Sequence, residues 1–230
     1  MNNSFLTRAE SLVGNDAVLL LKNAKVAVFG VGGVGSPAAE ALARAGVGSI
    51  DIIDPDVIEL SNINRQLVAL SSTIGRLKVE VCKERLLDIN PDINVNTFPV
   101  FYLPDNTCGI DLSNYDYIID AVDTVTAKLY LAYEAERVGT PIISSMGTGN
   151  RLDPTAFKVC DIYETSGCPL ARTMRAELRK MGVKSLKVVC SEELPKKIED
   201  IGRTPASISF VPPVAGYIAA SAVVRHIIGK

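Results

Sequence analysis

The sequence contains one histidine in 230 residues, and that scarcity excludes a class of chemistry at once. His226 stands in an apolar stretch near the C-terminus and reads as structural, so a Ser-His-Asp or Cys-His mechanism has almost no raw material. The five cysteines (Cys82, Cys108, Cys160, Cys168, Cys190) form no C-x-x-C pair. That spacing argues against a structural zinc site, and the odd count suits reduced thiols in a cytoplasmic protein. No basic N-terminal region precedes a long apolar stretch, so a secretory signal is not expected. The most apolar region, 208–228, is broken by Pro212, Pro213 and Gly216 and carries Arg225 and His226. It reads as a buried C-terminal helix and not as a membrane span. Internal repeats and low-complexity segments are lacking as well.

What is present suits a globular α/β chain. A hydrophobic content of 47% with 22% charged residues is ordinary, and the length is enough for one substantial core, or for an α/β domain with a lobe inserted. A formal net charge of −2 gives no global pull toward nucleic acid or membrane. The balance is locally uneven: residues 170–190 hold six basic residues (Arg172, Arg175, Arg179, Lys180, Lys184, Lys187) against the single acid Glu177. Such a run is either a solvated helix face or a basic docking surface, and composition alone leaves both open.

Apolar runs alternate with helical patterns. Residues 25–29, 49–53, 95–100, 117–119 and 141–145 read as strands; 37–45, 76–88 and 125–138 read as helices between them. In the 76–88 segment Leu77, Val81, Leu86 and Leu87 fall close to helical spacing. This alternation predicts a Rossmann-like α/β fold, a mostly parallel sheet with helices on both faces. One helix over 8–21 is expected ahead of the sheet. A C-terminal antiparallel extension is expected after it, with a return strand at 157–162, a helix at 168–181, a short strand at 187–190 and the final helix. Residues 191–205, charged and containing proline and glycine, are expected to form a mobile loop.

Strand 25–29 runs into Gly30-Val31-Gly32-Gly33-Val34-Gly35 and then a helix. Glycines between a strand and a helix N-terminus let backbone N–H groups approach phosphates at the positive end of the helix dipole. Asp54, nineteen residues beyond Gly35, ends the second strand where an acid can accept hydrogen bonds from a ribose. At this point NAD, FAD and ATP fit about equally.

The next segment is Asp54-Pro-Asp-Val-Ile-Glu-Leu-Ser61-Asn62-Ile-Asn-Arg65-Gln66, followed by Gly75 with Lys78 and by Asp120-Ala-Val-Asp123. Glycine loop, Asp54, the Ser-Asn-x-x-Arg-Gln cluster, Gly75 with Lys78, and the paired acids in this order resemble the ThiF/MoeB/HesA superfamily, relatives of the ubiquitin-activating enzymes. Each piece is common alone; five in order over about ninety residues are specific. The resemblance implies a single adenylating domain over 1–230, with a nucleotide-binding half (1–150) and a substrate-side extension (151–230). It implies that Gly30, Gly32, Gly33, Gly35, Asp54, Asn62, Arg65, Gln66, Lys78 and Asp123 bind ATP. Arg65 and Lys78 would neutralise the triphosphate and the departing pyrophosphate, and Asp123 would hold Mg²⁺. Asn62 would hydrogen-bond a phosphate or an attacking oxygen. Arg8 resembles the arginine that reaches the phosphates across a homodimer interface.

Within the superfamily, members that activate ubiquitin-like sulfur carriers often bear paired C-x-x-C motifs, which this chain lacks. Cys168 and Cys190 are by position the candidates for a thioester, though free cysteines more often behave as small buried hydrophobes. Thr124-Val-Thr-Ala-Lys128, the Gly147-Thr-Gly149 loop, Leu152-Asp-Pro-Thr155 and Pro169-Leu-Ala-Arg172 resemble instead the branch of tRNA threonylcarbamoyladenosine dehydratases. That branch adenylates a carboxylate on a tRNA base, and an intramolecular attack then expels AMP, so no thioester is required. On that reading Arg172, Arg175 and Arg179 hold the RNA backbone. The partners implied are tRNA and a second copy of the chain; a sulfur-transfer or ubiquitin-like protein is the partner of the alternative reading, and no membrane is involved. The first discriminating expectation is thermal: ATP at about 100 times its Kd should stabilise the fold by roughly 2.7 kcal/mol, whereas NAD should leave the unfolding midpoint unchanged. Protection by NAD alone would point to an oxidoreductase.

Overall fold

The structure is a computed structural model that describes residues 4–198 and 205–230. Seven strands, β1 (Lys25–Phe29), β2 (Ser49–Ile53), β3 (Asn94–Phe98), β4 (Tyr117–Asp120), β5 (Ile142–Ser145), β6 (Phe157–Asp161) and β7 (Lys187–Ser191), form one sheet in the order β3-β2-β1-β4-β5-β7-β6. Neighbours are parallel except at the edge, where β6 runs antiparallel to β7. The mostly parallel sheet and its C-terminal return are those expected from the alternation of apolar runs.

Among the described residues seven α-helices accompany the strands: α1 (Thr7–Val13), α2 (Asn15–Asn23), α3 (Gly35–Ala45), α4 (Lys78–Ile89), α5 (Val125–Val138), α6 (Pro169–Met181) and α7 (Val211–Ile227). Alternate residues of β1 serve the two faces of the sheet. Val26 and Val28 pack with Ala38 and Leu42 of α3, Leu86 of α4 and Ala215, Ala219 and Val223 of α7. Ala27 and Phe29 pack with Leu131 and Ala135 of α5. A further cluster joins Ala171, Met174 and Leu178 of α6 to Val188 and Cys190 of β7. Each fully buried Leu, Val or Phe contributes on the order of 1.5–3 kcal/mol of transfer free energy. A run of alanines and Gly216 lets α7 lie close to α3, since a Cβ at Gly216 would overlap the Val34 carbonyl oxygen.

Two expectations are corrected. The single N-terminal helix is two helices, because Gly14 adopts φ +90° and breaks the run between them. The segment after β7 is tied down where it is described. Glu193 accepts the N–H groups of Leu152 and Asp153 at 3.0 and 2.9 Å, and the Lys196 N–H donates to the Asn150 carbonyl at 2.8 Å. The rest of the expected mobile loop, 199–204, lies outside the described residues.

The chain leaves β1 toward β2 and β3 on one side and returns to β4 on the other. Connections therefore diverge between β1 and β4, and a crevice opens beyond the carboxyl ends of those strands. Every residue singled out in the glycine loop and the acid pair lies at that end. Among the described residues no helix is long and apolar enough to cross a membrane.

Candidate active site

The crevice is a cavity of about 500 Å³, within the range of small-molecule sites. Its floor is the glycine loop: Gly30, Gly32 and Gly33 line it. Gly30 takes φ +82°, and a Cβ there would stand 2.7 Å from the Ala121 carbonyl oxygen. Only glycine lets the loop pass so near the turn after β4. Gly35 does not line the cavity; it closes the loop from behind, where a Cβ would overlap the Gly30 carbonyl oxygen.

Asp54 borders the cavity at the end of β2. Its Oδ2 accepts the Val31 N–H at 2.8 Å and its Oδ1 the Asp56 N–H at 2.9 Å, so it locks the glycine loop to the segment after β2. Burial pushes its carboxyl above the ordinary range, against the opposing pull of Lys78 and these two N–H groups. Lys78 begins α4, is 6% exposed, and reaches Asp56 Oδ2 at 2.6 Å on the cavity wall. Arg65 lines the same wall, held by Nη1 hydrogen bonds to the Ser61 carbonyl at 3.0 Å and Asn64 Oδ1 at 2.9 Å. Gln66 lies beside Gly32, and its buried Oε1 has no hydrogen-bond partner.

Asp123 lines the cavity and is exposed; among the described residues its hydrogen-bond partner is the Thr124 hydroxyl at 3.5 Å. The turn that carries it is set by a buried pair to which the sequence motifs assign no role. Asp120 and Lys128 are both fully buried, 3.0 Å apart. Lys128 Nζ also donates to the Val122 carbonyl at 3.1 Å, and the Ser144 hydroxyl donates to Asp120 Oδ2 at 2.6 Å. Ala121, Val122 and Asp123 thus leave β4 along a fixed path.

Other expected residues fall elsewhere. Asn62 is buried outside the lining; its Oδ1 accepts the Glu59 N–H at 3.1 Å in a reciprocal cap of the 60–62 turn. Its Oδ1 is committed to the local chain, while its Nδ2 reaches only the Ser61 hydroxyl at 3.4 Å. Arg8 is exposed on α1 and lies outside the lining. Along α6, which begins at the cavity wall with Leu170, Arg172 is exposed, Arg175 is bound to the Thr165 carbonyl at 2.7 Å, and the Arg179 guanidinium sits 5.1 Å from the Tyr163 ring centre. Tyr163 donates its hydroxyl to the Val183 carbonyl at 2.6 Å and so is taken up in packing. The aromatic wall comes from Phe101 and Tyr102 in the loop after β3. No motif marked them; the available signal was their place past the end of a parallel strand next to β2. Cys168 and Cys190 are each 3% exposed, and among the described residues no cluster of three or more His, Cys, Asp or Glu could hold a metal.

A glycine floor, a buried acid at the end of β2, two cations in the lining and an exposed carboxylate give this cavity the charges that suit a polyphosphate ligand. Residues 6–230 match the ThiF family, and the chain belongs to that family. It is 42% identical over 238 residues to the tRNA threonylcarbamoyladenosine dehydratase of Bacillus subtilis (strain 168), covering 96% of this chain and 94% of the relative. It is 41% identical over 168 residues to the protein of the same name from Escherichia coli (strain K12), covering 73% of this chain and 63% of that one. Among solved structures, the E. coli enzyme TcdA in complex with ATP superposes with a TM-score of 0.89 at 33% identity, covering 97% of this chain and 93% of that one. Its complex with AMP gives a TM-score of 0.90 at 34% identity over the same shares.

The buried pair at the end of β4 makes a stability prediction. Lys128→Met strands the Asp120 carboxylate, and urea unfolding should show a loss of about 3–5 kcal/mol. Adding Asp120→Asn should recover part of that loss; a strictly additive double variant would mean that the two charges do not interact.

Proposed function

We infer that this chain transfers AMP from ATP to the carboxylate of the threonylcarbamoyl group on a tRNA adenosine, and that ring closure then expels AMP with net loss of one water from the nucleoside. The observation that carries this reading is the joint presence of Gly32, Gly33, Arg65, Lys78 and Asp123 on one cavity in a chain related end to end to the B. subtilis dehydratase.

The chemistry follows from the charges. A carboxylate oxygen must approach the α-phosphorus of a polyanion, and pyrophosphate must leave. The floor N–H groups fit phosphates lying over Gly32–Gly33, and Gln66 Nε2, the side-chain atom nearest Gly32, is a further donor toward them. Lys78 is held at the wall by Asp56, ready to exchange that carboxylate for phosphate oxygens. Arg65 supplies the second cation, and each stabilises charge that grows on the leaving group. Phe101 and Tyr102 give an apolar wall on the Asp54 side for the adenine. Mg²⁺ takes few protein carboxylates and completes its shell with phosphates and water, so the lone, exposed Asp123 fits an ion that arrives with the nucleotide; bound there, Mg²⁺ would offset charge on the triphosphate. Once the acyl adenylate forms, the nucleophile already sits within the same substrate, and the reaction gains from proximity alone.

Exposed Arg172 and the lysines beyond it on the α6 side give the RNA backbone a cationic track starting at the cavity edge. The homodimer is likewise our reading: Phe5 just before α1 and Leu12 on it are exposed, 54% and 82%, beside Arg8, which would complete a partner's phosphate site. A cytoplasmic setting suits a tRNA substrate and five free thiols. An alternative rests on one finding: residues of this chain are 40% identical over 131 residues to an adenylyltransferase and sulfurtransferase, UBA4, of Candida glabrata, covering 57% of this chain and 30% of that one. Under it the activated carboxylate would belong to a ubiquitin-like protein.

The test is incubation of the protein with ATP, Mg²⁺ and tRNA bearing threonylcarbamoyladenosine. Mass spectrometry of the nucleosides should show loss of one water, abolished by Asp123→Ala and Arg65→Ala. Pyrophosphate exchange that requires an added ubiquitin-like protein, with the nucleoside unchanged, would favour the alternative. Neutralising Arg172 and Arg179 together should weaken tRNA binding and leave ATP affinity nearly unchanged, whereas equal loss of both would remove the proposed RNA track.

A further inference from the structure

Residues 205–207 carry part of the cavity lining, through Pro205 and Ser207, yet belong to no helix or strand. Backbone of that kind keeps its place only through hydrogen bonds that other segments supply. Two asparagines supply them here, and neither lines the cavity.

Asn150 grips the Ala206 residue twice. Its N–H donates to the Ala206 carbonyl at 2.8 Å, and its Oδ1 accepts the Ala206 N–H at 2.7 Å. Its own carbonyl accepts the Lys196 N–H at 2.8 Å. Asn150 takes φ +59° in doing so, a left-handed conformation that asparagine tolerates better than most residues and that persists where surrounding contacts demand it. Pro205 packs so near Gly149 that a Cβ there would stand 2.6 Å from the proline Cβ. The wall to which the segment is fastened is itself anchored. Arg151 donates through Nη1 to the Gly147 carbonyl and through Nε to the Glu193 carbonyl at 2.9 Å.

Asn64 holds the next residue along. Its Nδ2 donates to the Ser207 carbonyl at 3.1 Å, while its Oδ1 accepts Arg65 Nη1 at 2.9 Å. A guanidinium has donors only, so the amide oxygen must face Arg65 and the amide nitrogen must turn to the segment. With both ends of its amide engaged, this exposed side chain joins Arg65 to residues 205–207. The path Arg65–Asn64–Ser207–Ala206–Asn150 thus ties the Arg65 side of the cavity to its Gly147–Gly149 wall.

We propose that Asn64 and Asn150 are positioning residues of the adenylation site, stapling residues 205–207 at both ends so that Arg65 and the Gly147–Gly149 wall are in place before a nucleotide arrives. Groups fixed in advance lose little freedom on binding, and releasing them shows as lost affinity. The effect on ATP rests on the adenylation reading; the staple itself does not.

The experiment measures ATP affinity of the full chain with Mg²⁺ and, in nucleotide-free protein, the hydrogen exchange of the Ala206 amide. Asn150→Gly removes the Oδ1 acceptor and keeps the left-handed backbone; Asn150→Asp keeps the acceptor. ATP affinity should fall about tenfold in Asn150→Gly, the worth of one lost hydrogen bond, and stay within about threefold of wild type in Asn150→Asp. Asn64→Ala, at an exposed position, should weaken ATP about tenfold as well. A staple open at one end no longer holds, so the double variant Asn64→Ala with Asn150→Gly should bind within about threefold of Asn64→Ala alone. The Ala206 amide should exchange slowly in wild type and Asn150→Asp, and about tenfold faster in Asn150→Gly and in Asn64→Ala, although Asn64 bonds only to Ser207 in this segment. Circular dichroism confirms that each variant is folded. Additive losses in the folded double variant, or an Ala206 amide unmoved by Asn64→Ala, overturn the shared staple. Unchanged ATP affinity in folded Asn64→Ala and Asn150→Gly overturns the positioning role. If the wild type bound no ATP, the adenylation reading would fall while the exchange rates still decided the staple.

Discussion

The cavity depends on one buried ion pair. Lys128 and Asp120 lie where β4 ends, both without solvent contact. Apart, each charge would be severely destabilising in that core; together, with Ser144 and the Val122 backbone completing the hydrogen bonds, they tie β4, β5 and α5 into one unit. The turn from 121 to 123 leaves this unit in a single direction. That direction puts the Ala121 carbonyl against Gly30 and Asp123 at the mouth. The floor and the Asp123 side of the site thus share one reference.

Around it, the charged groups of the site are held in reserve. Lys78 is paired with Asp56, and Arg65 leans on Ser61 and Asn64. Asp54 holds the glycine loop through Val31. Such groups need little reorganisation when a triphosphate arrives, which is where electrostatic preorganisation gains its effect.

The fold was legible because its strands are short apolar runs between helical patterns, and β1, β2 and α5 fall where those runs place them. Gly14 escaped because a lone glycine in an amphipathic stretch is compatible with one continuous helix; only φ +90° distinguishes a break. The cavity-lining residues were legible where a motif lies on a loop at the end of a strand, as with Gly33, Arg65 and Asp123. Asn62 lies in the same motif, and its Oδ1 accepts an N–H of its own turn, a local contact that spacing does not reveal. Lys128, Arg151 and Phe101 were illegible for a different reason. Their roles come from contacts between segments far apart in the chain, such as Arg151 with Glu193, and one sequence holds no record of which segments meet.

The central claim is that this crevice seats ATP with its α-phosphate open to an incoming carboxylate. A crystal structure with a non-hydrolysable ATP analogue and Mg²⁺ tests it directly. The account predicts phosphates over Gly32–Gly33, flanked by Arg65 and Lys78, with the metal on Asp123 and the α-phosphorus facing the open mouth. A dinucleotide in the crevice, or a triphosphate turned so that the wall of Gly147–Gly149 blocks the α-phosphorus, would contradict it.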